Sequence, residues 1–208
     1  MTSTLKGIII LDRDGVINEM VIDPEFGTID SPLHPSQVKI FPGVPTALKA
    51  IEAMGYALFI ASNQPAAAKG KTTRKNLEAA HAEILAQSQS AGATIRKSFI
   101  CWHRAEDACE CRKPRVALLQ SALEQVPGIP LQTSWMVGDG IVDIAAGQTL
   151  GLRTAFIGPK KCDQCAILSR QQLHPTAHIA SLEEFSEFLK TFALRTNDAT
   201  RKSTTAWN

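Results

Sequence analysis

Short apolar runs alternate with segments of helical period along most of the chain. The first run, Gly7–Leu11, is continuously apolar and β-branched, which is typical of a strand buried in a parallel sheet. An α/β fold with a central parallel sheet and helices on both faces follows from this alternation. The remaining strands are predicted at 56–61, 95–100, 134–137, 153–157 and 178–180. Helices are predicted at 42–54, 72–90, 116–126 and 141–150, with a last helix opened by a Ser181/Glu184 capping box.

The overall composition is that of an ordinary soluble domain. Of 208 residues, 44% are hydrophobic and 20% charged, and the formal net charge of +2 argues against a dedicated nucleic-acid binder. The apolar run at Gly7–Leu11 is too short for a signal peptide or a membrane span, so a cytoplasmic protein without membrane association is expected. We expect a monomer with one domain over 1–194 and a polar, mobile tail over 195–208.

Two carboxylates, Asp12 and Asp14, follow the first predicted strand directly, and Gly15 permits a sharp turn after them. One carboxylate of such a pair can attack phosphorus and form an aspartyl-phosphate. The other can protonate the leaving oxygen and later deprotonate water. A Mg²⁺ ion between them would offset the repulsion of the anionic nucleophile by the anionic phosphate. For this motif alone, an acidic turn without chemistry is the alternative.

Three further polar motifs flank predicted strands and helices. Asp139, in GDGIVD, can supply a second metal carboxylate, and Asp143 can orient it from one helical turn away. Ser62 and Asn63 follow a strand and can face a phosphate oxygen, while Lys113, in RKP, can neutralise phosphate charge. Ligands of such folds bind beyond the carboxyl ends of the strands, so these motifs are expected to converge on one edge of the sheet.

With the motifs DRDGV, SNQ, RKP and GDGIVD in this order, the chain resembles the haloacid dehalogenase superfamily of Mg²⁺-dependent phosphatases over residues 5–190. The resemblance implies a Rossmann-like three-layer α/β/α core, Asp12 as nucleophile and Asp14 as general acid/base. It implies Mg²⁺ held by the Asp12 carboxylate, the Asp14 carbonyl and Asp139. The stretch 15–61 is too short for a large cap domain, so we expect a minimal cap. The residues assigned to phosphate are Ser62, Asn63, Gln64, Arg112 and Lys113.

A cysteine-rich loop precedes the RKP motif. It contains Cys101, His103, Cys109 and Cys111, and three thiolates with one imidazole complete a tetrahedral Zn²⁺ shell that has no open position. Such a closed shell is typical of a structural site. Ordinary buried thiols are the alternative.

This loop resembles that of the zinc-loop branch of the superfamily, which includes heptose 1,7-bisphosphate 7-phosphatases and histidinol-phosphate phosphatases. The five-residue spacer between His103 and Cys109 favours the histidinol-phosphate enzymes, whereas PAAAKG after SNQ resembles the heptose enzymes. We predict a heptose-type sugar bisphosphate as the substrate, serving lipopolysaccharide or capsule synthesis, with Lys69 on the distal phosphate. Histidinol phosphate is the first alternative, and a non-catalytic zinc-stabilised binding module is the second.

Two smaller features remain open. Cys162 and Cys165, with His174 and His178 downstream, have the spacing of a second metal site, but a surface loop is the favoured interpretation. Trp102, inside the cysteine loop, can stack on a sugar or shield the zinc.

Overall fold

The apolar runs form a six-stranded sheet in the computed structural model, which describes residues 5–22, 27–159 and 162–192. All neighbouring strands of this sheet are parallel. Its strands are β1 (Gly7–Leu11), β4 (Tyr56–Asn63), β5 (Ile95–Cys101), β6 (Trp135–Gly138), β7 (Arg153–Ile157) and β8 (Ala177–Ile179), in the order β5-β4-β1-β6-β7-β8. A separate antiparallel pair consists of β2 (Val21–Ile22) and β3 (Ile29–Asp30).

Helices cover both faces of the sheet. Successive residues of β1 point to opposite faces. Ile9 and Leu11 therefore pack in one apolar cluster, and Ile8 and Ile10 in the other. The first cluster includes residues of α1 (Val44–Ala53), α2 (Arg74–Ser88) and a last helix, α6, at 182–192; the second includes residues of α3 (Ala117–Leu123) and α4 (Ile141–Thr149). A further helix, α5, spans Cys162–Arg170.

The predicted three-layer α/β/α fold is confirmed. Of the capping box predicted for α6, the bond to the Ser181 side chain is present, whereas the Glu184 side chain binds the backbone one residue before Ser181. Ser181 Oγ accepts from the Glu184 backbone N–H at 3.2 Å, and the Glu184 carboxylate accepts from the backbone N–H of Ala180 at 2.7 Å. Among the described residues, no helix is both long enough and apolar enough to cross a bilayer.

Three local expectations differ from the structure. Ser62 and Asn63 form the last residues of β4 instead of following it, because both continue the ladder with β5. The segment expected as a surface loop around Cys165 is helix α5, a short helix that buries Leu168. The stretch 20–31, to which the sequence pattern assigned no element, contains the β2–β3 pair. The tail predicted at 195–208 lies outside the described residues.

Candidate active site and metal cluster

Three neighbouring strands end at one cleft. Because β4, β1 and β6 are adjacent and parallel, their carboxyl ends share one edge of the sheet. Asp12 follows β1 directly, and its backbone N–H donates to the Val137 carbonyl at 2.8 Å. The cleft at this edge has a volume of about 260 Å³ and is lined by Asp12, Asp14, Met20, Ile29, Asp30, Ser31, Ser62, Asn63, Pro65, Arg112 and Asp139.

A buried lysine connects two of the carboxylates. Lys113 Nζ lies 3.0 Å from Asp12 Oδ1 and 2.6 Å from Asp143 Oδ1, and it donates to the Ala61 carbonyl at 2.7 Å. Burial alone would lower the pKa of Lys113, but the charges of Asp12 and Asp143 outweigh it and raise that pKa. Burial raises the pKa of Asp143 to about 7, against the opposing effect of Lys113. The Lys113 ammonium therefore stays charged, with oxygen atoms of Asp12, Asp143 and Ala61 within 3.0 Å of it.

The third carboxylate, Asp139, faces the turn at Gly15. Burial, followed by the negative charge of Asp12, raises the pKa of Asp139 to about 6. Carboxylate oxygens of Asp12, Asp139 and Asp143 all lie within 4.8 Å of one another. Gly15 has φ +78°, and a Cβ built there would collide with the Asp139 carboxylate. Only glycine leaves room for this carboxylate, and the cluster of acidic oxygens suits a hard divalent cation.

The Asp14 carboxylate is surrounded by nitrogen donors. Arg13 Nε lies 3.2 Å from Oδ1, and Arg13 Nη2 lies 3.1 Å from Oδ1 and 3.0 Å from Oδ2. Asn18 Nδ2 donates to Oδ1 at 2.8 Å, and Gln64 Nε2 donates to Oδ2. The sequence reasoning missed Arg13 and Asn18. Their signal is the pattern DRDGVIN, in which a cation and an amide flank the second carboxylate within four residues.

The residues predicted to contact phosphate differ in accessibility. Ser62 and Asn63 line the cleft, and Arg112 lies at its rim. Asn63 also exchanges two hydrogen bonds of 3.1 Å with the Lys113 backbone, which fixes the RKP motif against β4. Gln64 is 0% exposed, so its amide lies beneath the cleft instead of facing it. The Lys69 side chain is exposed and does not line the cleft.

The β2–β3 pair borders the same cleft. Met20 and Ile29 line it, and Ile29 is 63% exposed. Lys71 forms an ion pair with Asp30 of β3, which links this border to the segment after motif SNQ. The Lys71 ammonium therefore already has a protein partner.

The cysteine loop brings its four ligand atoms together. Cys101 Sγ lies 3.7 Å from His103 Nδ1 and 3.6 Å from Cys109 Sγ; Cys111 Sγ lies 3.3 Å from His103 Nδ1 and 3.6 Å from Cys109 Sγ. Zn–S bonds of about 2.3 Å in a tetrahedron place sulfur atoms roughly 3.8 Å apart, close to these separations. Burial and hydrogen bonds from the neighbouring sulfurs raise the pKa of Cys111 to about 12. A bound cation would offset the mutual repulsion of three thiolates here, and the four ligand atoms lie close enough together to hold a metal ion.

Three arginine side chains contact the cysteine loop. The Arg74 guanidinium lies 3.6 Å from the centre of the Trp102 ring, so one face of the indole is covered by α2. Arg112 Nη1 donates to the His103 carbonyl at 3.3 Å, and Arg115 donates to the Cys109 carbonyl. The loop conformation therefore determines where Arg112 meets the cleft.

The second cysteine pair gives no ligand cluster in the part of the chain that is described. Cys165 is exposed, and the two groups of potential metal ligands found there contain neither Cys165 nor His174 nor His178. His178 Nε2 instead lies 3.0 Å from the Gly158 carbonyl. The Cys162 side chain lies outside the described part.

Comparison with known proteins identifies the family. The model of haloacid dehalogenase-like hydrolases matches residues 27–151, and the chain belongs to this family, as its motifs indicated. It is therefore a hydrolase whose central parallel sheet carries acidic residues at its carboxyl edge.

Individual relatives divide into two groups. The D-glycero-beta-D-manno-heptose-1,7-bisphosphate 7-phosphatase of Pseudomonas aeruginosa is 30% identical over 155 residues, which are 73% of this chain and 81% of the relative. The histidine biosynthesis bifunctional protein HisB of Legionella pneumophila is 31% identical over 148 residues, or 71% of this chain, and the match spans only 40% of that longer protein. In fold, the chain is similar to the D,D-heptose 1,7-bisphosphate phosphatase of B. bronchiseptica, solved with magnesium and phosphate. The TM-score is 0.72 at 24% identity, covering 89% of this chain and 98% of the other.

Proposed function

We propose that the protein is a Mg²⁺-dependent phosphatase that removes the 7-phosphate of D-glycero-D-manno-heptose 1,7-bisphosphate. The observation that carries the proposal is the pairing of Asp12 with Lys113 at the base of the cleft, with Asp14 two residues away. The Asp12 side chain is 16% exposed and the Lys113 side chain 1%, so the carboxylate reaches the cleft while the ammonium stays behind it. The heptose bisphosphatase relatives support the substrate class.

The first chemical step joins Asp12 to phosphorus. A carboxylate oxygen of Asp12 attacks the phosphoryl group, the bond from phosphorus to the ester oxygen breaks, and that oxygen takes a proton from Asp14. An aspartyl-phosphate on Asp12 results. Lys113 keeps the Asp12 carboxylate oriented for this attack, and Ser62, at the end of β4, can donate its hydroxyl proton to a phosphoryl oxygen.

The second step restores the carboxylate. Asp14, now ionised, takes a proton from water as the water oxygen attacks phosphorus, and the bond between phosphorus and Asp12 breaks. Inorganic phosphate leaves with the fourth oxygen supplied by water. The same carboxyl group thus acts first as acid and then as base.

Two metal ions fit this scheme. Mg²⁺ would be held by the carboxylates of Asp12 and Asp139 and by the Asp14 carbonyl, with Asp143 held behind them by Lys113. When bound, it supplies positive charge that offsets repulsion between the nucleophile and the phosphoryl group. Zn²⁺ would be held by the Cys101, His103, Cys109 and Cys111 cluster and would fix the loop that positions Arg112.

Histidinol phosphate is the second candidate substrate. The five-residue spacer in the cysteine loop and the relationship to HisB favour it. The chain covers only the part of HisB that is matched, so the relationship concerns one of its portions. A heptose bisphosphate carries a second phosphate that Arg112 at the cleft rim or the exposed Lys69 could contact, whereas histidinol phosphate carries a cationic amine.

A comparison of the two substrates tests the proposal. We expect kcat/KM for heptose 1,7-bisphosphate to exceed that for histidinol phosphate by at least about tenfold, roughly 1.4 kcal/mol in transition-state binding. Lys69→Ala should narrow this ratio. Lys75→Ala, which removes an exposed lysine at the start of α2, is the matched control and should leave the ratio unchanged. A preference for histidinol phosphate would reject the heptose assignment, and equal effects of both variants would reject the role of Lys69.

A further inference from the structure

The carboxyl group of Asp14 contacts buried side chains that have no role in the proposed mechanism. Arg13, Asn18 and Gln64 are each 0% exposed, and Asp14 itself is 9% exposed at the cleft. Burying an arginine is costly unless its charge is paired, and removing one partner of such a pair leaves an uncompensated buried charge. A buried guanidinium next to the acid/base residue therefore needs a reason beyond packing.

Gln64 links three groups, and its amide can have only one orientation. Its Oε1 accepts from Arg13 Nη2 at 2.6 Å, while its Nε2 donates to Asp14 Oδ2 and to Ser62 Oγ at 3.0 Å. A guanidinium only donates and an ionised carboxylate only accepts, so a flipped amide would lose both contacts. Gln64 thereby ties the end of β4 to the Asp14 carboxylate.

We propose that Gln64 and Arg13 are positioning residues for Asp14, a role that rests on the proposed phosphatase function. They hold the carboxyl group at the cleft and stabilise the carboxylate that forms as its proton moves to the leaving oxygen. Hydrogen bonds to an ionised acceptor are roughly twice as strong as those to a neutral one. The donors therefore bind Asp14 more tightly after proton transfer than before, which lowers the barrier to that transfer.

The role has a consequence that packing alone would not produce. An ester oxygen that is a poor leaving group needs the Asp14 proton, whereas a good leaving group departs as an anion without it. Phenyl phosphate and 4-nitrophenyl phosphate have nearly the same shape and differ mainly in this need. A defect in positioning Asp14 must therefore slow the cleavage of phenyl phosphate and have little effect on the cleavage of 4-nitrophenyl phosphate.

The experiment measures the first-turnover release of phenol and of 4-nitrophenol with Mg²⁺ present. Gln64→Met keeps the side-chain length and removes both hydrogen-bonding atoms, and Arg13→Lys keeps the charge and removes the fork of donors. Each variant should slow phenol release about tenfold and 4-nitrophenol release less than twofold. Ser134→Ala is the control, because Ser134 is also 0% exposed and hydrogen-bonded but precedes β6 at the opposite edge of the sheet.

The possible outcomes separate this inference from the function on which it rests. Equal losses with both esters, or full rates with both, would overturn the positioning role and leave the phosphatase function intact. If the wild-type protein shows no Mg²⁺-dependent release of either phenol or 4-nitrophenol, the function and this inference are overturned together. Urea unfolding of each variant accompanies the assay, and if one variant does not fold, the other decides the question.

Discussion

Replacing Gly15 with alanine tests how closely the turn after the acidic motif controls the carboxylates proposed for catalysis. Gly15 has φ +78°, and the added Cβ would overlap the Asp139 carboxylate. Gly128 has φ +80°, and a Cβ there would meet nothing within 4 Å. A non-glycine residue in the left-handed region costs about 1–2 kcal/mol. Both variants should therefore lose a similar amount of stability, and only Gly15→Ala should disturb the site.

The size of the effect on catalysis follows from the overlap. Relief of the contact requires the Asp139 carboxylate to move by about 1 Å, and a misplacement of that size costs roughly 100-fold in rate. We expect Gly15→Ala to reduce kcat/KM about 100-fold and to need more Mg²⁺ for half-maximal activity. Gly128→Ala should stay within twofold of the wild type.

Steady-state phosphatase assays over a range of Mg²⁺ concentrations measure the activity, and urea unfolding measures the stability of both variants. If Gly15→Ala keeps more than a fifth of the wild-type kcat/KM with an unchanged Mg²⁺ requirement, the reasoning about Asp139 is refuted. A much larger loss of stability in Gly15→Ala than in Gly128→Ala would mean that the turn is mainly structural.

The remaining predictions concern the nucleophile, the metal cluster and a buried histidine. Asp12→Asn should abolish turnover, since an amide cannot form the aspartyl-phosphate, and near wild-type rates would exclude the covalent route. Metal analysis should find about one zinc per chain, and Cys109→Ser should lower both zinc content and activity; zinc-free protein with full activity would contradict this. Burial, followed by the charge of Arg13, lowers the pKa of His81 to about 4. As pH falls, His81 is protonated in the unfolded chain near pH 6.5 but in the folded chain only near pH 4. The free energy of unfolding therefore decreases as pH drops from about 6.5 toward 4. Between pH 7 and pH 5 the wild type should lose about 2 kcal/mol more than His81→Leu in urea unfolding, and equal losses would contradict the shift.

The parts of the fold that depend on local pattern could be predicted from the sequence. The apolar run Gly7–Leu11 forms β1, because a continuous β-branched run suits a strand covered on both faces. The four metal-ligand candidates of the cysteine loop lie within eleven positions, so their convergence needs no long-range information. Helix α5 was missed, since its apolar residues are few and it packs mainly through Leu168.

Predicting the candidate site required both the order of the motifs in the sequence and the pairing of the strands. The order of the motifs placed Asp12 and Asp139 after strands and Ser62 near the end of another, and parallel pairing then explains why they share one edge. The directions of the side chains were not predictable in this way. Gln64 was expected to face phosphate, yet it lies beneath the cleft between Arg13 and Asp14.

The sequence by itself therefore determined the order in which the motifs follow the strands, and it indicated the two groups of potential metal ligands. Only the tertiary structure decided which charges neutralise each other. Lys113 meets Asp12 and Asp143 although about a hundred residues separate it from the first, because the crossover from β5 through the cysteine loop returns the chain behind β1. Likewise, only the tertiary structure shows that Lys71 pairs with Asp30, whereas the nearby Lys69 is exposed. Coulombic energy depends on distance and burial in the folded chain, and neither quantity can be predicted from a local pattern of residues.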